Sequence, residues 1–126
     1  MKAVTLTTTA LAALAIAPTV GAQDSAAEEA AQIERGKALY EYWCATCHGA
    51  GPGHPGTQAL DYRYQGALPG ALAERPGLTP ELVAVFVRNG ISIMPFFRKT
   101  EINDAELADI GAYLSRDTAG ADQGND

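Results

Sequence analysis

The chain has 126 residues, 47% of them hydrophobic and 19% charged, and a formal net charge of −6, which bounds it to a single domain of ordinary globular composition. Fifteen Asp and Glu against nine Lys and Arg exclude nucleic acid and anionic membrane as partners, since both select a basic surface. Two cysteines only three positions apart close too small a loop to staple a fold, so a core this small must draw on some other support.

The N-terminus reads as an address. Lys2, an uncharged apolar stretch from Leu6 to Ala17 and the small residues Val20-Gly21-Ala22 match a signal peptide over residues 1–22, cleaved near Ala22. The apolar stretch is shorter than the roughly 18 residues that cross a bilayer, and nothing downstream approaches that length. The mature chain then starts at Gln23, has no membrane span and carries a charge of −7, because Lys2 alone is lost. An acidic protein is steered toward a basic patch on a partner, with sensitivity to salt.

Ile33, Gly36, Tyr40 and Trp43 recur at intervals of three and four, which predicts an amphipathic helix over about Ala27–Tyr42. Gly36 costs up to about 1 kcal/mol against Ala in mid-helix, a cost tolerated where another helix packs closely. After Trp43 come both cysteines and both histidines, in WCATCHGAGPGHPG. Residues 49–55 are loop by their Gly and Pro content, and residues 57–77 read as irregular chain with one short helix.

Thr79 as N-cap, Pro80 at the first position and Asn89-Gly90 at the end delimit a helix. Pro95 then keeps ISIMPFFRK from continuing as helix. Asn103 and Glu106 form a capping box ahead of a last helix, with Leu107, Ile110 and Leu114 on one face up to Arg116. Residues 118–126 are a polar, flexible tail.

The chemistry resides in the cysteine motif. A WCxxC thiol–disulfide oxidoreductase needs its first cysteine at a helix N-terminus behind a buried strand, where the thiol pKa falls. Cys44 instead follows a helix. Cys44, Cys47, His48 and His54 could be counted as zinc ligands, but zinc-finger pairs are separated by about a dozen residues so that the chain can wrap a tetrahedron. An iron–sulfur cluster takes four cysteines. CxxCH is the signature of covalent haem attachment. Two thiols one helical turn apart, Cys44 and Cys47, reach the two vinyl groups on one porphyrin edge, and His48 is held beneath the iron as proximal ligand. The haem also supplies the apolar centre that a short chain lacks, and c-type haem is attached after export.

The sixth iron position decides between binding small molecules and passing electrons. Met94 is the only methionine of the mature chain and lies in a Pro-interrupted loop able to present its sulfur. His54 is a rival, but its chain spans only about 20 Å when extended from His48 and would have to round the haem edge. Lys99 is a remoter one that must lose a proton first.

The residues ERGKALYEYWCATCHG, LTPELVAVFVRNGISIMPFF and ELADIGAYL resemble single-haem class I c-type cytochromes across nearly all of the mature chain. That resemblance implies an all-α fold over residues 23–117, about four helices wrapped around one covalently attached haem c. It also implies packing of Gly36 and Tyr40 against Leu107, Ile110 and Tyr113, and a proline carbonyl, from Pro52 or Pro55, accepting the His48 Nδ1 proton. Within the class, VRNGISIMPFF is similar to the cytochrome partners of flavoproteins of the p-cresol methylhydroxylase and eugenol hydroxylase type, which oxidise para-alkylphenols. The stretch 56–77 is longer than its counterpart in the p-cresol protein.

The expectation is a periplasmic electron carrier and not an enzyme, taking electrons from a flavoprotein and passing them to a respiratory acceptor. A carrier serving a quinoprotein dehydrogenase or terminal oxidase is the alternative; a peroxidase-like haem and a dithiol oxidoreductase stand further off. Tyr62, Arg63 and Tyr64, with Arg75, form an aromatic-basic cluster suited to haem propionates or to an ordinary solvated loop.

Overall fold

Ala, Glu and Gln dominate the residues ahead of Ile33, and all three are strong helix formers. The first helix accordingly starts well before Ala27: in the computed structural model, which describes residues 20–116, α1 spans Val20–Trp43. It is followed by α2 (Ala45–His48), α3 (Pro55–Tyr64), a 3-10 turn (Leu72–Glu74), α4 (Pro80–Asn89) and α5 (Asp104–Ser115). Most of the expected leader, residues 1–19, and the expected tail over 118–126 lie outside the described residues. Among the described residues the chain is all-α: the β pairing is a single isolated bridge between Ile91 and Met94. Four longer helices carry the fold, and α2 is the one turn containing the cysteine motif. No helix of the described residues is long and apolar enough to cross a membrane.

Helices α1 and α5 meet at Gly36. A Cβ there would fall on the Asp109 carbonyl, 2.6 Å from its carbon, and 2.9 Å from Tyr113 Cβ. Glycine thus lets two backbones touch, which is the close packing the sequence required of it. Beside the contact, Tyr40 and Tyr113 stack at 5.4 Å, and Arg35 pairs with Asp109 at 3.1 Å. The core adds Val83 and Val87 from α4, Leu107, Ile110 and Leu114 from α5, and Ile102.

Both predicted caps are present. Thr79 accepts from the Leu82 N–H at 3.2 Å. Asn103 and Glu106 exchange reciprocal bonds of 2.9 and 2.8 Å. Helix α3 departs from expectation: it starts at Pro55 and runs ten residues. Proline suits the first turn of a helix, where its missing N–H has no partner to lose, so α3 begins inside the stretch read as loop.

Candidate functional site

The helical backbone hardly breaks between α1 and α2. Cys44 N–H donates to Tyr40 at 2.8 Å, and His48 N–H donates to Cys44 at 2.8 Å. Tyr40, Cys44 and His48 therefore share a face at four-residue spacing. The Tyr40 hydroxyl donates to the His48 carbonyl oxygen at 2.6 Å and ties the end of the motif to the core. Thr57, buried in the first turns of α3, donates to the Gly49 carbonyl at 2.7 Å and closes the Gly/Pro loop behind the motif.

Cys44 and His48 line a cleft of about 280 Å³. Its walls are apolar side chains, chiefly Leu60 from α3, Leu72 and Leu78 from the segment after it, Leu82 and Phe86 from α4, and Leu114 from α5. Met94 lines the same cleft from the loop beyond α4. The fold thus brings to one apolar space the first cysteine, the histidine and the methionine singled out from sequence. Cys47 is exposed beside it and Cys44 half-buried, with no disulfide between them. Burial, and secondarily the neighbouring Cys47, push the Cys44 thiol up to about 11. A disulfide-exchanging cysteine needs the opposite shift.

Burial also holds the His48 imidazole below its ordinary pKa of 6.5, which favours the neutral ring that a metal requires. Its Nδ1 is buried without a hydrogen-bond partner. Neither Pro52 nor Pro55 accepts that proton, contrary to what the resemblance implies. Pro55 is the first residue of α3, so its carbonyl enters that helix's own ladder. Gly56 occupies the space against the ring: a Cβ there would lie 2.8 Å from Nδ1 and 2.6 Å from Cε1. Pro52 sits in an exposed turn between Gly51 and Gly53, both at positive φ.

The rival ligands are held elsewhere. His54 Nδ1 lies 3.1 Å from the Thr46 carbonyl and outside the cleft lining. Lys99 Nζ is 2.6 Å from Asp104 Oδ2, also away from the cleft. The aromatic-basic cluster divides. Arg63, Tyr64 and Arg75 line the cleft, whereas Tyr62 is 82% exposed. Arg75 is buried, lies 4.0 Å over the Tyr64 ring and donates to the Pro69 carbonyl at 3.3 Å. Trp43 is half-buried and stacks edge-on against Phe97 at 5.8 Å, not in the cleft lining.

Sequence reasoning missed Tyr40 and Thr57 as supports of the motif, and the leucines of the wall. The four-residue spacing from Tyr40 through Cys44 to His48 was the available signal for the first. Thr57 and Leu60 had none, because they sit in a stretch where one short helix was expected but its position was not assigned.

The donor set and the apolar wall fit a haem: two free thiols, a half-buried histidine whose buried Nδ1 has no partner, a thioether, and two arginines in the cleft lining. A family model described as cytochrome c oxidase, cbb3-type, subunit III matches residues 31–114, about two thirds of the chain. No curated protein and no solved structure matches the chain. The matched span contains the whole cleft lining, from Cys44 to Leu114. The chain belongs to that family and is a c-type cytochrome, a haem-binding electron carrier.

Proposed function

We propose that the protein is an exported, periplasmic carrier of single electrons with one haem c, joined through thioethers to Cys44 and Cys47 and ligated by His48 and Met94. The observation that carries this reading is the convergence of Cys44, His48 and Met94 on one apolar cleft. When bound there, haem supplies a one-electron Fe(III)/Fe(II) couple. Met94 offers a thioether, which favours the reduced state and raises the potential, and the leucine wall does the same by excluding water. His48 presents a neutral imidazole. Arg63 and Arg75 supply planar cationic donors for the carboxylates of the porphyrin. The chain itself breaks and makes no substrate bond.

The electron donor we propose is a flavoprotein acting on para-alkylphenols, on the likeness of VRNGISIMPFF to the partners of such enzymes, with a respiratory acceptor downstream. Carriage to a terminal oxidase is the second reading, favoured by the description of the matched family.

The test is spectroscopic. Protein expressed with export and haem-attachment machinery gives a pyridine haemochrome of covalent haem and is low-spin in both oxidation states. Its ferric form shows the methionine–iron charge-transfer band, which Met94→Ala abolishes. Rapid carbon monoxide binding by the native ferrous protein would replace this reading with a ligand-binding haem.

A further inference from the structure

Met94 hangs in a loop fastened to α4 on both sides. Upstream, Gly90 has φ +68, and a Cβ there would lie 2.6 Å from the Met94 carbonyl oxygen. Ile91 and Met94 exchange both backbone hydrogen bonds, at 3.1 and 2.9 Å. Downstream, the Phe97 N–H donates to the Val87 carbonyl at 2.8 Å. The Phe97 carbonyl accepts from Arg88 Nη1 at 3.1 Å. The same Nη1 donates to the Ile102 carbonyl at 2.8 Å, and Nη2 reaches Asp104 Oδ1 at 2.9 Å.

Residues 98–101 close on themselves: the Arg98 N–H donates to the Glu101 carboxylate at 2.8 Å, and the Glu101 N–H donates to the Arg98 carbonyl at 3.0 Å. That turn is therefore a preformed unit which needs anchoring at its two ends. Arg88 bonds both ends, Phe97 and Ile102, and the first residue of α5 as well.

We infer that Arg88 is a positioning residue for Met94, holding the 95–102 segment against α4 so that the Met94 sulfur stays directed into the cleft. The inference rests on Met94 being the iron's sixth ligand. A planar guanidinium meets three acceptors in one fixed geometry, whereas a lysine ammonium is a point donor on a mobile stem. Without the guanidinium, the carbonyl of Ile102, a residue with 0% exposure, loses its partner from α4. The remaining ties to α4 are then the Gly90 turn, the single Phe97–Val87 hydrogen bond and the apolar packing of Ile102 and Phe97 on the core.

The experiment uses the haem-loaded protein and compares wild type, Met94→Ala, Arg88→Leu and Arg88→Lys at a temperature well below each variant's Tm. Wild type shows the methionine–iron(III) band and Met94→Ala does not. Arg88→Leu is expected to weaken that band and to raise the carbon monoxide-accessible fraction of ferrous iron by about tenfold or more, the factor implied by losing a hydrogen bond from a charged donor. Arg88→Lys is expected to restore part of both. An Arg88→Leu protein with a lowered Tm but a wild-type band and carbon monoxide response would overturn the inference and leave Met94 ligation standing. A band that survives Met94→Ala overturns the ligation reading, and this inference with it. Should Arg88→Leu fail to accumulate, Arg88→Lys decides alone: wild-type values of both readouts sink the inference.

Discussion

The Tyr40 hydroxyl donates to the His48 carbonyl, and burial raises its pKa well above the ordinary 10.0, so it remains a donor at any working pH. Tyr40→Phe keeps the ring that stacks on Tyr113 and removes only the hydroxyl. It leaves a part-buried carbonyl without a partner, which costs about 1–3 kcal/mol. Denaturant unfolding of the haem-loaded variant is expected to show that loss as a lower midpoint at unchanged slope. A wild-type midpoint would mean that water replaces the bond. Candidate residues were legible from sequence where chemistry restricts residue type. Cys44, Cys47, His48 and Met94 stand out as candidates because few side chains can bond a porphyrin edge or iron. Tyr40 and Thr57 do not, because many residues donate a hydrogen bond and only the fold shows which carbonyl needs one.

Among the elements, the α1–α5 crossing separates two opposing effects of one substitution. Gly36→Ala adds helix propensity worth about 0.8–1 kcal/mol. The new Cβ, however, would stand 2.6 Å from the Asp109 carbonyl carbon. Relief requires two backbones to part, and overpacking of this kind costs about 1–3 kcal/mol or more. The second effect is expected to win: Gly36→Ala lowers Tm, and a rise would show that the helices slide apart freely. Helices α4 and α5 were legible because both ends of α4 and the start of α5 carry explicit signals at Thr79, Pro80, Gly90, Asn103 and Glu106. Helix α3 was legible only as one short helix somewhere in 57–77, and its start was missed because the Gly and Pro density around it outweighed the single cue of Pro55 at its first position. Gly56 and Gly70 there serve packing against His48 and Asp61, a use of glycine indistinguishable from a loop in sequence.

Across the molecule, Asp104 joins the loop after Met94 to α4 and α5. Hydrogen bonds from Lys99 and then Arg88 hold its carboxyl below the ordinary 3.8. A depressed carboxyl pKa adds stability that is full above the unfolded value and is lost as pH falls through the folded one. Asp104→Asn is therefore expected to lower Tm equally at neutral pH and at pH values down to about 5, and the gap should close progressively as the pH falls further. A gap that persists in stronger acid would assign the effect to packing instead. The sequence by itself determined the haem-binding class and the helical architecture, because CxxCH, helix caps and three-to-four periodicity are local patterns with local physical causes. Tertiary structure alone decided that Cys44, His48 and Met94 share one cleft, that His54 and Lys99 are held away from it, and that Arg88 anchors the methionine loop. Each of those facts depends on segments far apart in the chain being brought together by burial of a common apolar surface, and no single segment of the chain states which others it will meet.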